Sequence, residues 1–329
     1  MHVHLEGSIR PASLLTLAAR NHVLLPADTV EGLQEWFVYS GFDHFIEVYL
    51  TIARCLRTSD DYELVVYEFG AEMARQNVRY AEVTFTPGNH YSLGMPQKSY
   101  FAGLKRGREK VQRDFGVEIN WVFDINRSSD LADYTTSVAI EGIDDGVIAL
   151  GLGGPEVGYP PELFVHSFDR ARAAGLHSVP HAGETVGPAS IWGALRALGA
   201  ERIGHGVRAV EDPDLVSYLA ESHIPLEICP ASNVCLGTYA TLTDHPLRQL
   251  YERGVTITIN SDDPPLFNTS LNDEVLSLSD PFGFDTSTIE DILLNAVRQS
   301  FLPVTRKQAL ESAFRSEMTQ LRASHLADV

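Results

Sequence analysis

Ser178-Val179-Pro180-His181-Ala182-Gly183-Glu184 begins as a short β-like run and ends in a histidine, a glycine and an acid. Three other stretches repeat the form: Met1-His2-Val3-His4-Leu5-Glu6-Gly7, Arg202-Ile203-Gly204-His205-Gly206, and the run that closes in Asn260-Ser261-Asp262-Asp263-Pro264. Such runs are continuous in apolar character rather than alternating, as expected of strands covered on both faces. Eight can be marked, at residues 2–5, 80–86, 119–125, 147–152, 178–181, 202–204, 225–228 and 255–260. Amphipathic stretches with apolar positions three and four apart separate them, at 62–76, 164–174, 189–198 and 213–221. Strand and helix in alternation predict parallel βα units, and eight units predict an α/β chain closed as a (β/α)8 TIM barrel.

A barrel of that kind needs roughly 250 residues or more, so 329 residues are read as one metal-dependent hydrolase barrel domain spanning 1–329. The segment 11–77 is too long for one crossover helix. It reads as a helical insertion beside the barrel mouth, with helices at 12–21 and 43–56. Residues 287–327 read as C-terminal helices packing across the barrel. No repeat and no low-complexity tract interrupts the pattern.

The formal charge of −19 would repel a phosphate backbone or an anionic membrane surface, and no basic patch offsets it. Nucleic-acid and membrane partners are therefore not expected, and a small molecule is. Cys55, Cys229 and Cys235 are odd in number and lack CxxC spacing, which fits neither a disulfide framework nor a cysteine zinc knuckle. No apolar run is long enough for a membrane span and no basic-then-apolar leader opens the chain, so the expected compartment is the cytoplasm.

The polar clusters all fall at C-terminal strand ends, the face on which barrel enzymes carry their active sites. Residues two apart on a strand point the same way, so His2 and His4 present both imidazoles to one side. With His181 and the carboxylate of Asp262 they make a nitrogen and oxygen set suited to Zn2+, with a position left for water. A metal-bound water can lose a proton near neutral pH and become a nucleophile. Glu184, one turn past His181, is placed to trade protons with a substrate, and His205 between glycines could orient or deprotonate the water.

The strings HVHLEG, HAGE, RIGHG, CPASN and NSDDP, in this order, resemble the adenosine deaminase family of the amidohydrolase superfamily, from residue 1 to about 275. The resemblance implies zinc held by His2, His4, His181 and Asp262. It further implies proton donation from Glu184 to purine N1, positioning of the attacking hydroxide by His205 and Asp262, a hydrogen bond from Asp263 to N7, and contact of the Gly154 backbone with N3. Binuclear members of the superfamily bridge their metals with a modified lysine on the fourth strand. No lysine occurs between Lys110 and Lys307, so one ion per chain is expected. The cytidine-type zinc deaminases need H-x-E and P-C-x-x-C, which three such cysteines cannot supply.

Two departures bear on substrate. Family members that act on adenosine read HLDG where this chain has Leu5-Glu6-Gly7, and Glu6 is thereby a candidate contact on the 5′ side. The HLEG form also resembles adenine deaminases and deaminases of 5′-extended nucleosides such as aminodeoxyfutalosine. Arg127, at the end of the third run, is a candidate for a substrate carboxylate or else an arginine paired with Asp130 or Asp124. Phe37 and Phe267 are candidates for an apolar wall or lid. Relatives carry several residues before the HVH triplet where this chain has only Met1, which implies either a truncated start or a chain terminus beside the metal. Deamination of an adenosine or a 5′-modified adenosine is the leading expectation. A free-base adenine deaminase, a non-catalytic purine-binding barrel and a hydrolase of another bond stand as alternatives.

Overall fold

A computed structural model describes residues 1–325. Seven parallel strands run in chain order, each paired with the next: β1 (Tyr80–Phe85), β2 (Glu118–Asn126), β3 (Val147–Gly153), β4 (His177–Ala182), β5 (Ile203–His205), β6 (Leu226–Ile228) and β7 (Ile257–Ile259). Their side chains are buried almost throughout, which is why the sequence shows no alternation. Several following helices, at Pro87–Ser92, Pro188–Ala197 and Pro213–Ser222, open with proline in the first turn, where its missing N–H costs nothing. These prolines keep the strand-to-helix loops short.

The eighth expected run, residues 2–5, does not form a regular strand. It makes two isolated parallel bridges, Val3 with Asp262 and His4 with Thr84, and turns at once into a 3-10 helix at Glu6–Ser8. Main-chain bonds still reach both neighbours, from His4 N–H to Asp262 O (2.9 Å), Leu5 N–H to Thr84 O (2.9 Å), Thr84 N–H to Val3 O (2.8 Å) and Asp262 N–H to His2 O (3.1 Å). The segment thus sits between the two edges of the seven-stranded sheet, in the place the barrel requires.

Four helices fill 11–77: α1 (Pro11–Arg20), α2 (Val30–Trp36), α3 (Phe42–Arg54) and α4 (Ser59–Arg75). Thr58 and Asp61 form a reciprocal capping box that starts α4. The expected C-terminal helical stretch divides into Thr286–Arg298 and Val304–His325, with Pro303 at the break, and residues 326–327 of that expectation lie outside the described residues. The last helix crosses the amino ends of β1 and β2, tied by Arg306 to Glu118 (2.7 Å) and by Arg79 to Glu317. That leaves the carboxyl ends of the strands open to α3. Among the described residues no helix is long and apolar enough to cross a membrane.

Candidate functional site

The carboxyl ends of the strands and α3 line a cavity of about 60 Å3 that opens to solvent. Its acidic and imidazole lining is His4, Asp124, His181, Glu184, His205, Asp262 and Asp263, and its neutral polar lining includes Thr86, Asn89 and Asn126. The apolar wall comes from α3, where Phe42, Phe45, Ile46, Tyr49 and Leu50 recur at the spacing of one helix face.

Four ligand-type side chains converge in this cavity. His4 Nε2 lies 3.2 Å from His181 Nε2 and 3.3 Å from Asp262 Oδ1, and His2 Nε2 lies 3.4 Å from the same oxygen. Zinc bonds of ~2.0–2.1 Å in a tetrahedron put neighbouring ligand atoms ~3.3–3.4 Å apart, which these three spacings match. The groups whose donor atoms all lie close together are His2, His181, His205 and Asp262, and His4, Asp262 and Asp263, joined through Asp262. His205 stands further off, with Nε2 3.8 Å from both Asp262 Oδ2 and Glu184 Oε2. Asp262 and His205 also share a main-chain peculiarity, φ near +57° and +58°, a left-handed conformation that a residue with a Cβ adopts at a cost. The turn aims both side chains inward. Gly7 has to be a glycine, since a Cβ there would collide with Asp263.

A second layer orients the ligands. His2 Nδ1 bonds Glu227 Oε2 (3.2 Å), Glu227 Oε1 accepts from Arg202 Nε (2.7 Å), and the same guanidinium reaches Glu82. A buried carboxylate on Nδ1 fixes the tautomer that leaves Nε2 bare for a metal. Arg127 donates to the main-chain oxygens of Tyr159 (2.6 Å) and His181 (2.5 Å), holding the latter residue at the end of β4. Glu156 accepts N–H groups from Gly183 (2.9 Å), Glu184 (2.9 Å), Thr185 (2.7 Å) and Val186 (3.2 Å), and so pins the loop that carries Glu184. Glu156→Gln would turn an amide donor toward those donors. It is expected to lower stability by about 2–4 kcal/mol, read as an earlier urea or thermal transition, together with a fall in activity.

The tautomer of His205 follows from a chain of bonds with one unambiguous end. Leu247 N–H donates to His245 Nδ1 (3.1 Å), so a neutral His245 carries its proton on Nε2 and gives it to Asn233 Oδ1 (3.1 Å). That turns the Asn233 amide nitrogen to His205 Nδ1 (3.2 Å), leaving Nε2–H of His205 facing the cavity. Burial lowers the pKa of both rings, to about 4 for His205 and about 3 for His245, which keeps them neutral. His205 is therefore built to donate a hydrogen bond into the site, which favours orienting over deprotonating.

The field of the site favours positive charge. Burial resists protonation of His2, but Asp262 and Glu227 outweigh it and carry its pKa up to about 9. His4 rises to about 10, burial again being outweighed, chiefly by Asp263 and Asp262. His181 is driven well below the usual range by burial and by the neighbouring imidazoles, as a neutral ligand should be. Burial, with Asp262 beside them, pushes Glu184 and Asp263 well above the usual carboxyl range, which favours the protonated form of each. A divalent ion facing three imidazoles and an anionic Asp262, flanked by two neutral acids, is what this donor set suits.

Compared with known proteins, residues 1–316 match the family model described as adenosine deaminase. The chain belongs to the adenosine deaminase family. It is 42% identical over 312 residues to the aminodeoxyfutalosine deaminase of Streptomyces avermitilis, covering 93% of this chain and 87% of that one. It is 35% identical over 299 residues to the adenine deaminase of Bordetella avium, covering 90% and 94%. The solved adenine deaminase of Arthrobacter aurescens superposes with a TM-score of 0.90 at 30% identity, covering 97% of this chain and 98% of that one. A Burkholderia ambifaria amidohydrolase solved with bound Zn gives 0.89 at 26%, covering 99% and 92%. As a member of this family the chain is a hydrolytic deaminase of the amidohydrolase superfamily.

Within the family site, the structure brings together His2, His4, His181, Glu184, His205, Asp262 and Asp263, and Gly154 lines the same cavity with φ near +85°. It does not bring Glu6 or Arg127 to the cavity surface. Glu6 is buried, with Oε1 accepting from Thr86 N–H (3.1 Å) and bonded to His90 Nε2 (2.9 Å). Arg127 is buried as well, at 1% exposure, and pairs with neither Asp124 nor Asp130 but with the two carbonyls named above. Phe267 and Phe37 pack behind the wall, Phe267 stacking on Phe45, which is the residue that reaches the cavity. Glu156, Glu227, Arg202, Asn233 and His245 are supporting residues that the sequence reading missed. Arg202 and Asn233 lay in recognised strings, RIGHG and the CPASN after β6, without a role being read for either.

Proposed function

We propose that this chain is a zinc-dependent aminohydrolase that removes the 6-amino group of an adenine-type nucleoside, with one ion held by His2, His4, His181 and Asp262. The observation that carries the reading is the set of three imidazole nitrogens and one carboxylate oxygen at zinc-like spacings, beside a buried acid, Glu184, on the wall of the same cavity. Zinc there supplies Lewis acidity that brings the ionisation of water near neutral pH.

The chain's own residues supply the rest. Gly154 offers its backbone to N3, and neutral Asp263 donates to N7, an acceptor that an ionised aspartate could not serve. His205 Nε2–H, with Asp262, orients the attacking oxygen toward C6. Glu184 gives its proton to N1 as that oxygen bonds C6, and recovers one from the attacking water. The second water proton goes to the departing amine, the C6–N bond breaks, and ammonia and the 6-oxopurine leave.

A substrate extended on its 5′ side is favoured by the apolar face of α3, which gives the cavity a hydrophobic wall beyond what a purine ring needs. The 42% relative named for aminodeoxyfutalosine supports this reading, and the 35% relative named for adenine supports the free base as the second one. Turnover of adenine, adenosine, methylthioadenosine and aminodeoxyfutalosine, followed by ammonia release, tests it. The 5′-extended nucleoside is expected to give the highest kcat/KM. Preference for adenine would overturn the nucleoside reading, and inertness toward every 6-aminopurine would overturn the deaminase reading.

A further inference from the structure

One carboxylate in the cavity has no task in the chemistry above. Asp124, on β2, is 3% exposed and lines the cavity, and its Oδ1 is buried without a hydrogen-bond partner. Arg127, three residues on, makes no ion pair with it, because its two terminal nitrogens donate to the carbonyls of Tyr159 and His181. A buried polar oxygen left unpaired is costly, and a fold retains one where something else completes it.

The surroundings indicate a ligand. Asp124 is in register with Gly151 on β3, and its carboxylate lies over Gly151 and Gly153, where a Cβ on either glycine would collide with it. The two bare positions make room for the Asp124 carboxylate itself, and Gly153 lines the cavity one residue short of Gly154. The Asn126 amide nitrogen is already occupied, donating to Asn89 Oδ1 (2.9 Å), and does not serve Asp124, whose Oδ1 is, with Asp263 Oδ1, an unsatisfied acceptor of the cavity wall.

Resting on the reading of the site as a nucleoside deaminase with N3 at Gly154, we propose that Asp124 accepts a hydrogen bond from a hydroxyl of the substrate's sugar. N9, which bears the sugar, is joined to N3 through the single atom C4, so a purine seated with N3 on Gly154 carries its sugar toward the Gly153 side of β3. A buried acceptor without a protein partner, on the cavity wall beside Gly153, suits an O–H donor. The contact makes Asp124 a specificity-determining residue that separates ribonucleosides from compounds lacking that hydroxyl.

The test is a cycle between protein and ligand. Wild type, Asp124→Ala and the near-isosteric Asp124→Asn are assayed with the preferred ribonucleoside and with its 2′-deoxy, 3′-deoxy and 5′-deoxy forms, with metal content and melting temperature as controls on folding. In wild type, removing the contacted hydroxyl is expected to raise KM about ten- to hundredfold, with kcat changed much less. In either variant the ribonucleoside should show that loss, and removing the same hydroxyl should then cost nothing further. Undiminished sensitivity to each deoxy form in the variants would overturn the proposal while leaving the nucleoside reading intact. So would variants whose only change is a lower metal content or melting temperature. A wild type that deaminates adenine but no nucleoside would remove both.

Discussion

Glu184→Gln is expected to retain the metal and the fold while losing kcat by about a hundred- to ten-thousandfold. The amide is nearly isosteric and makes no demand on the ligand set, but it has no acidic proton to place on N1. Burial and the charge of Asp262 hold the Glu184 carboxyl well above its ordinary range, so the competent form is the protonated one. Activity should therefore be present below that elevated pKa and fall away as pH rises through it. In the variant the residual rate should lose this alkaline limb. A pH–rate profile of both proteins checks the point, and an unchanged alkaline limb in Glu184→Gln would assign the titration to another group.

Asp262→Ala is expected to be worse, because the same carboxylate contacts two of the three imidazoles and faces His205. Its loss removes a metal ligand and the anion that makes the pocket hospitable to a cation. Elemental analysis after dialysis should find less than one tenth of an equivalent of zinc in rough terms, and activity should drop about a thousandfold or more. Full metal occupancy in this variant would place the ion elsewhere.

How much of this was legible beforehand depended on whether a residue's task is written in spacing. His2 and His4 could be read because strand geometry puts alternate residues on one side, and His181, His205 and Asp262 because a barrel gathers the ends of its strands. The reduction of residues 2–5 to two isolated bridges could not, since the turn into the 3-10 helix at Glu6–Ser8 carries no periodic signal. Asn233 and His245 decide the His205 tautomer through a hydrogen-bond chain that ends on a backbone N–H, and no periodicity announces it. Glu156 grips a loop 27 to 30 residues downstream, a link visible only in three dimensions. Arg127 was placed at the mouth because its run ends there, yet its guanidinium turns inward to two carbonyls. Asp124 was noticed only as a possible partner for that arginine, and its isolation became visible once Arg127 was seen bonded elsewhere.

The most direct test of the account is a metal titration of the whole chain. Protein stripped with a chelator is reloaded with zinc in steps, and ammonia release from a 6-aminopurine nucleoside is followed at each step. The account predicts negligible turnover without metal and a rise that saturates at one equivalent. Full activity in the stripped protein, or a plateau reached only at two equivalents, would contradict it.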